Sequence, residues 1–140
     1  MKNRKLNWMV VAMAGVFAVT VVKASDKPPE SYVAAMKTIN ATNMALRGHV
    51  TAKDYAGMEA DAAALKPALE TTLKFWQDKK VDDAIGWATA VGKANADLAA
   101  AAKAKNDEAI GAAVKTIGGS CMTCHTAHRD RQPDGTSLIK

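Results

Sequence analysis

Cys121, Cys124 and His125 are the residues whose types and spacing can do chemistry: two thiols and an imidazole in Cys121-Met122-Thr123-Cys124-His125. On a helix, residues three and four apart share a face, so all three project to one side. That arrangement suits a covalent c-type haem: two thioethers hold the porphyrin edge while the imidazole reaches the iron. Other uses of the same residues fit less well. A thioredoxin-like redox pair belongs beside a βαβ pattern, which the sequence lacks. A structural zinc site takes four ligands, usually as two separated pairs, and only His128 lies nearby as a fourth. A disulfide between Cys121 and Cys124 would leave His125 without a purpose. The sequence therefore points to one covalently bound haem c per chain, with His125 as an iron ligand.

The rest of the chain must position that stretch. Residues 1–24 have the form of a secretory signal. Lys2, Arg4 and Lys5 precede an apolar run from Leu6 to Val22, and Val22-Lys23-Ala24 offers a cleavage site after Ala24. The competing reading is an uncleaved anchor, for which a 17-residue run containing Asn7 and Thr20 is short. The formal charge of +5 resides largely in this leader, whose four cations face no acid. Residues 25–140 keep only about +1, which gives little reason to expect nucleic-acid binding. No stable membrane insertion is expected once the leader is removed.

Four amphipathic segments follow. Pro28 and Pro29 suit a helix start, and Tyr32, Met36, Ile39 and Leu46 give helical spacing from Glu30 to Arg47, with Gly48 as the stop. Thr51 opens a second start signal with Asp54 three residues on. Tyr55, Met58, Ala62, Leu65, Leu69, Thr72 and Trp76 then step by three and four. Pro67 within that stretch predicts a kink or a split. Asp82 and Asp83 suit the start of a third helix, which carries Val91, Leu98 and Ala102. A fourth carries Ile110, Val114, Ile117, Cys121, Cys124 and His128. Gly118-Gly119 within it marks either a close approach by a neighbour or macrocycle, or a break capped by Ser120. Pro133-Asp134-Gly135 is a turn signal in a tail, residues 130–140, read as a surface segment. These elements predict an all-α, antiparallel four-helix bundle over residues 25–140, with haem on the fourth helix. Its alanine-rich stripes and five aromatics leave volume that a large apolar macrocycle would fill.

Only 15 residues follow His125. A haem motif near the carboxyl end, on a fourth helix, resembles the cytochrome c-prime family, also called class II cytochromes c. The resemblance spans nearly all of residues 25–140. It implies haem attachment outside the cytoplasm, hence a periplasmic location, and allows a homodimer. Low-spin members of that family ligate iron with a first-helix Met and carry electrons to redox partner proteins. High-spin members leave the iron five-coordinate and bind gases such as NO and CO. Met36-Lys37 matches the ligand position, with Tyr32 where the family carries Arg four residues earlier. The family ending Cys-x-x-Cys-His-x-x-Tyr-Arg becomes His128-Arg129 here, and Arg129 is a candidate propionate partner.

The resulting expectation is an electron-carrying monohaem cytochrome, not an enzyme, with iron between His125 and Met36. The alternative is a five-coordinate gas-binding haem protein. Met44, about two turns beyond Met36 on the first helix, is the rival ligand there. Met58 reads as packing, His49 as a surface loop residue, and His128 as a hydrogen-bonding neighbour unable to reach the far side of the haem.

Overall fold

A computed structural model describes residues 25–140; the expected signal sequence and cleavage site lie outside the described residues. Four helices follow one another: α1 (Glu30–Ala52), α2 (Tyr55–Lys79), α3 (Asp82–Lys103) and α4 (Asp107–His128). A short hairpin ends the chain, β1 (Arg129–Arg131) and β2 (Ser137–Ile139). The helices are joined by two or three residues, too few for anything but antiparallel neighbours, so the bundle runs up-down-up-down. Among the described residues, no helix is long and apolar enough to cross a membrane.

Each start has a local cause. The Asp54 side chain accepts from the Gly57 amide, and that of Asn106 from the Ala109 amide, satisfying donors the first turns leave open. Asp82-Asp83 and Asp107-Glu108 place negative charge at the positive ends of α3 and α4. The stops are less usual. Lys53 and Lys80 end α1 and α2 in the left-handed region, φ 53° and 55°, where glycine is the commoner occupant.

One expectation changes and two open readings are decided. Helix α1 does not stop at Gly48 but runs to Ala52, so Thr51 lies inside it and Asp54 alone caps α2. A helix-interior glycine costs only about 1 kcal/mol, and the last turn recovers it by docking His49 and Val50. Helix α2 is not split at Pro67, because Leu65, Ala68 and Leu69 are buried on either side. Gly118-Gly119 does not break α4.

The core has two parts. The larger is aliphatic and alanine-rich, built around Leu46, Met58, Leu65 and Leu98, each at most 2 % exposed. Burying each such side chain is worth about 1.5–3 kcal/mol. The smaller lies at the haem-motif end of the bundle and is aromatic: Tyr32, Trp76, Ala84 and Ile139, with Phe75 and Cys124 packed against it. Asn95 is a polar residue inside the first part; its Nδ2 donates to the Ala62 carbonyl at 2.8 Å, tying α3 to α2.

The tail lies at the surface, as expected, but it is tied down as a hairpin. Arg129 pairs with Ile139 and Arg131 with Ser137. Asp26 exchanges two backbone hydrogen bonds of 2.8 Å with Ile139, whose side chain is buried. The two ends of the described chain therefore close over the haem-motif end of the bundle.

Candidate functional site

Helices α1 and α2, α2 and α3, and α3 and α4 pack along their lengths, whereas α1 and α4 approach each other far less. A cleft of about 1370 Å³ opens along that side. It exceeds the roughly 300–1,000 Å³ typical of small-molecule pockets. Its walls include Met36 and Ile39 from α1, Trp76 from α2, Val91 from α3, and Ile117 with the haem motif from α4.

Cys121, Cys124 and His125 all line this cleft, so the expected shared face exists and faces one space. Neither cysteine is in a disulfide. Burial raises both thiol pKa values; that of Cys124, with Cys121 and Asp83 adding to the effect, is pushed up to about 11. Both thiols therefore stay protonated near neutral pH, unlike the low-pKa thiolate of a dithiol oxidoreductase. Among the described residues, no group of three or more His, Cys, Asp or Glu gathers as a zinc site requires.

Burial, assisted by the Arg129 charge, holds His125 below the usual imidazole range. A neutral imidazole keeps a lone pair for a metal. His128 also lines the cleft, held on its α3 side. Its Nε2 lies 3.0 Å from Asp83 Oδ1, and its ring centre lies 5.1 Å from Trp76 and 5.9 Å from Trp87. The family's Tyr position is thus taken by a histidine held against α3. Tyr32, where the family carries Arg, lies in the aromatic core with its ring 4.1 Å from Phe75. Burial, with Cys124 close by, holds its hydroxyl well above the ordinary phenol range.

The methionines separate cleanly. Met36 lines the cleft and packs against both core clusters, the one that holds Cys121 and the one that holds Cys124. Met44 is 67 % exposed and outside the cleft, with Asn40 Nδ2 3.9 Å from its sulfur. Met58 is buried in the aliphatic core. Arg129 is exposed and lines the cleft. His49 is not a loop residue: it sits in α1 with Nδ1 2.7 Å from Asp61 Oδ2, joining the ends of α1 and α2 away from the cleft.

A haem is a wide apolar plate with two carboxylates, and the cleft suits it in shape and chemistry. Its walls are mainly apolar, its cysteines and neutral imidazole share one face, and its rim carries arginines. The glycines of α4 add a further sign. A Cβ on Gly118 would meet no atom within 4 Å, yet Gly118 lines the cleft. No protein atom fills that space, so this part of α4 has room for a plate to lie against it.

Residues 66–129 match the family model described as Cytochrome C'. The chain belongs to the cytochrome c-prime family. The match covers the second half of α2, all of α3, and α4 through Arg129, including both cysteines and His125. The family implies haem binding. Met36, on α1, lies outside the matched region, as does most of the hairpin. No curated protein sequence matches the chain.

Sequence reasoning placed the three haem-motif residues and Met36 at the site. It missed that Trp76 and Trp87 enclose His128, and that the hairpin forms part of the cleft wall. Trp76 was visible as a stripe position of α2. Nothing local marked Arg131 or Ile139, because strand pairing between Asp26 and residue 139 is a long-range event.

Proposed function

We propose that this cytochrome is an exported, monohaem electron carrier, not an enzyme. Cys121 and Cys124 would attach the haem covalently, and His125 and Met36 would ligate its iron. When bound, the haem supplies one-electron exchange between ferrous and ferric iron. The chain's own part is to hold it: the cysteines fix the plate, His125 presents a neutral nitrogen, and the aromatic core limits water on one side. A thioether opposite an imidazole suits haem iron and favours the reduced state relative to two nitrogen ligands. The observation that carries the reading is the position of Met36. Of Met36, Met44 and Met58, it alone lines the cleft, packed against the clusters that contain both cysteines.

The test is optical. Protein matured with a haem-attachment system should give sharp low-spin bands on reduction, and Met36→Ala should convert them to a broad high-spin Soret band. A variant that keeps the low-spin spectrum would remove Met36 as ligand. A high-spin wild type would favour the five-coordinate, gas-binding reading.

A further inference from the structure

The described residues contain three arginines, Arg47, Arg129 and Arg131, and all three line the haem cleft. None has an acidic partner within salt-bridge distance among the described residues. Lys53, Lys66, Lys74, Lys79 and Lys93 are each paired. Two of the arginines sit on β1. Arg129 and Arg131 are two residues apart on a strand, so their side chains leave the same face, with Asp130 on the other. Asp130 is engaged elsewhere, accepting from Ser25 Oγ at 3.3 Å. Two acids also line the cleft, Glu30 and Asp134. Asp134 Oδ1 accepts from the Thr136 amide at 2.9 Å and its hydroxyl at 2.7 Å, which occupies it within its own turn.

The strand carrying these groups is fixed. Ile139 is buried among Tyr32, Trp76 and Ala84, and Asp26 bonds it from both sides. The Lys140 amide donates to the His128 carbonyl at 2.9 Å, and Lys140 Nζ to the Thr126 carbonyl at 3.1 Å. Arg131 is thus placed by a hairpin tied to the last turn of α4, directly after the haem motif. Guanidinium groups are planar forks that bind carboxylates through two parallel hydrogen bonds.

We propose that Arg131, held by the terminal hairpin, forms with Arg129 a two-guanidinium clamp at the cleft, and that it takes the propionate carboxylates of the haem. This rests on the covalent-haem reading of Cys121, Cys124 and His125. Arg129 is the last residue of the matched family region and Arg131 lies past it. The clamp acts on the redox balance. Ferric haem carries one more positive charge than ferrous haem, so cations held against the propionates favour the reduced form.

The experiment measures midpoint potential by spectroelectrochemistry on the haem-loaded protein, at low and high salt. The variants are Arg131→Gln, Arg131→Lys and Lys115→Gln, the last removing an exposed α4 charge outside the cleft. Arg131→Gln should lower the potential at both salt concentrations, and Arg131→Lys should restore only part of it. Lys115→Gln should give a shift that high salt abolishes, as for a solvated charge. The clamp is refuted if the Arg131→Gln shift also vanishes in high salt, or if lysine restores the potential fully. Failure of the haem reading itself looks different: a pyridine haemochrome assay on the matured wild type would find no covalent haem.

Discussion

Gly118 and Gly119 offer a paired test of whether a macrocycle lies against α4. Both are exposed, both sit in an unbroken helix, and a Cβ on either would meet no atom within 4 Å. Replacing a helix-interior glycine by alanine removes backbone entropy from the unfolded chain and stabilises by about 0.5–1 kcal/mol where space allows. By the protein atoms alone, the two substitutions are equivalent. They differ in one respect: Gly118 lines the cleft and Gly119 does not. With haem attached, a methyl on residue 118 presses on the plate, and overpacking of that kind costs roughly 1–3 kcal/mol. Gly119→Ala should therefore raise the stability of the haem-loaded protein by up to about 1 kcal/mol, a few degrees in Tm for a domain of this size. Gly118→Ala should leave it unchanged or lower it by up to about 2 kcal/mol, and should reduce haem incorporated per chain. Thermal unfolding followed by far-UV circular dichroism, with a haemochrome assay for loading, reads both. If Gly118→Ala gains as much as Gly119→Ala in fully loaded protein, the plate does not lie against this part of α4.

The remaining expectations are shorter. Ile139→Ala removes the apolar anchor of the hairpin at a cost of about 2 kcal/mol, the low end for such a truncation because the site lies at the chain end. The hairpin can open without unfolding the bundle, so the loss should appear as roughly thirtyfold faster exchange of the Asp26 and Ile139 amides; unchanged exchange would show that burial of Ile139 does not hold the strand. Asp107 accepts from Lys53 and from the Tyr55 hydroxyl, and Lys53, with Tyr55 second, holds its carboxyl below the usual 3.8. A depressed carboxylate stabilises above its unfolded pKa and loses that contribution as pH falls through its folded value. Asp107→Asn should therefore flatten stability below about pH 4, weakly because the group is exposed; an acid-melting curve that matches wild type would refute the coupling. Lys80 holds φ 55° and makes no ion pair among the described residues, so Lys80→Gly should stabilise the α2–α3 turn by up to about 1 kcal/mol in urea denaturation, and a loss would show that its side chain contributes more than its backbone costs.

The parts legible in the sequence were those set by local rules. Helical spacing delivered four helices, and three-four spacing put Cys121, Cys124 and His125 on one face, because both follow from the geometry of one turn. Met36 was preferred on the family resemblance, with Met44 as its rival; spacing alone put both on the first helix and could not say which one meets the cleft. Their difference is a matter of which neighbour each meets: Met36 faces the seam toward α4, whereas Met44 faces outward. Helix ends failed where sequence rules favour glycine. Gly48 stayed inside α1 and Lys53 took the left-handed stop, since docking of His49 on Asp61 outweighed a propensity of about 1 kcal/mol.

The tail shows the limit most clearly, and it bears on why a thin, alanine-rich bundle can hold a large cofactor. Three of the four helix seams close by ordinary packing, and the side between α1 and α4 stays open. An open seam in a four-helix bundle exposes apolar wall unless something spans it. At one end of the cleft the span is covalent chain: Asp26 from before α1 pairs with Ile139 from after α4, and Ile139 fills the aromatic core beneath. Along the rest, no chain spans the cleft, and the proposed haem, held by the cysteines and His125, would fill it. Chain closure at one end and cofactor along the remainder are then complementary halves of one solution. It follows that loosening the hairpin with Ile139→Ala should disturb the haem's absorption bands as well as the amides at the strand, even though residue 139 is fourteen positions from His125, the proposed iron ligand. Spectra that stay unchanged while those amides exchange freely would show that the two halves are independent.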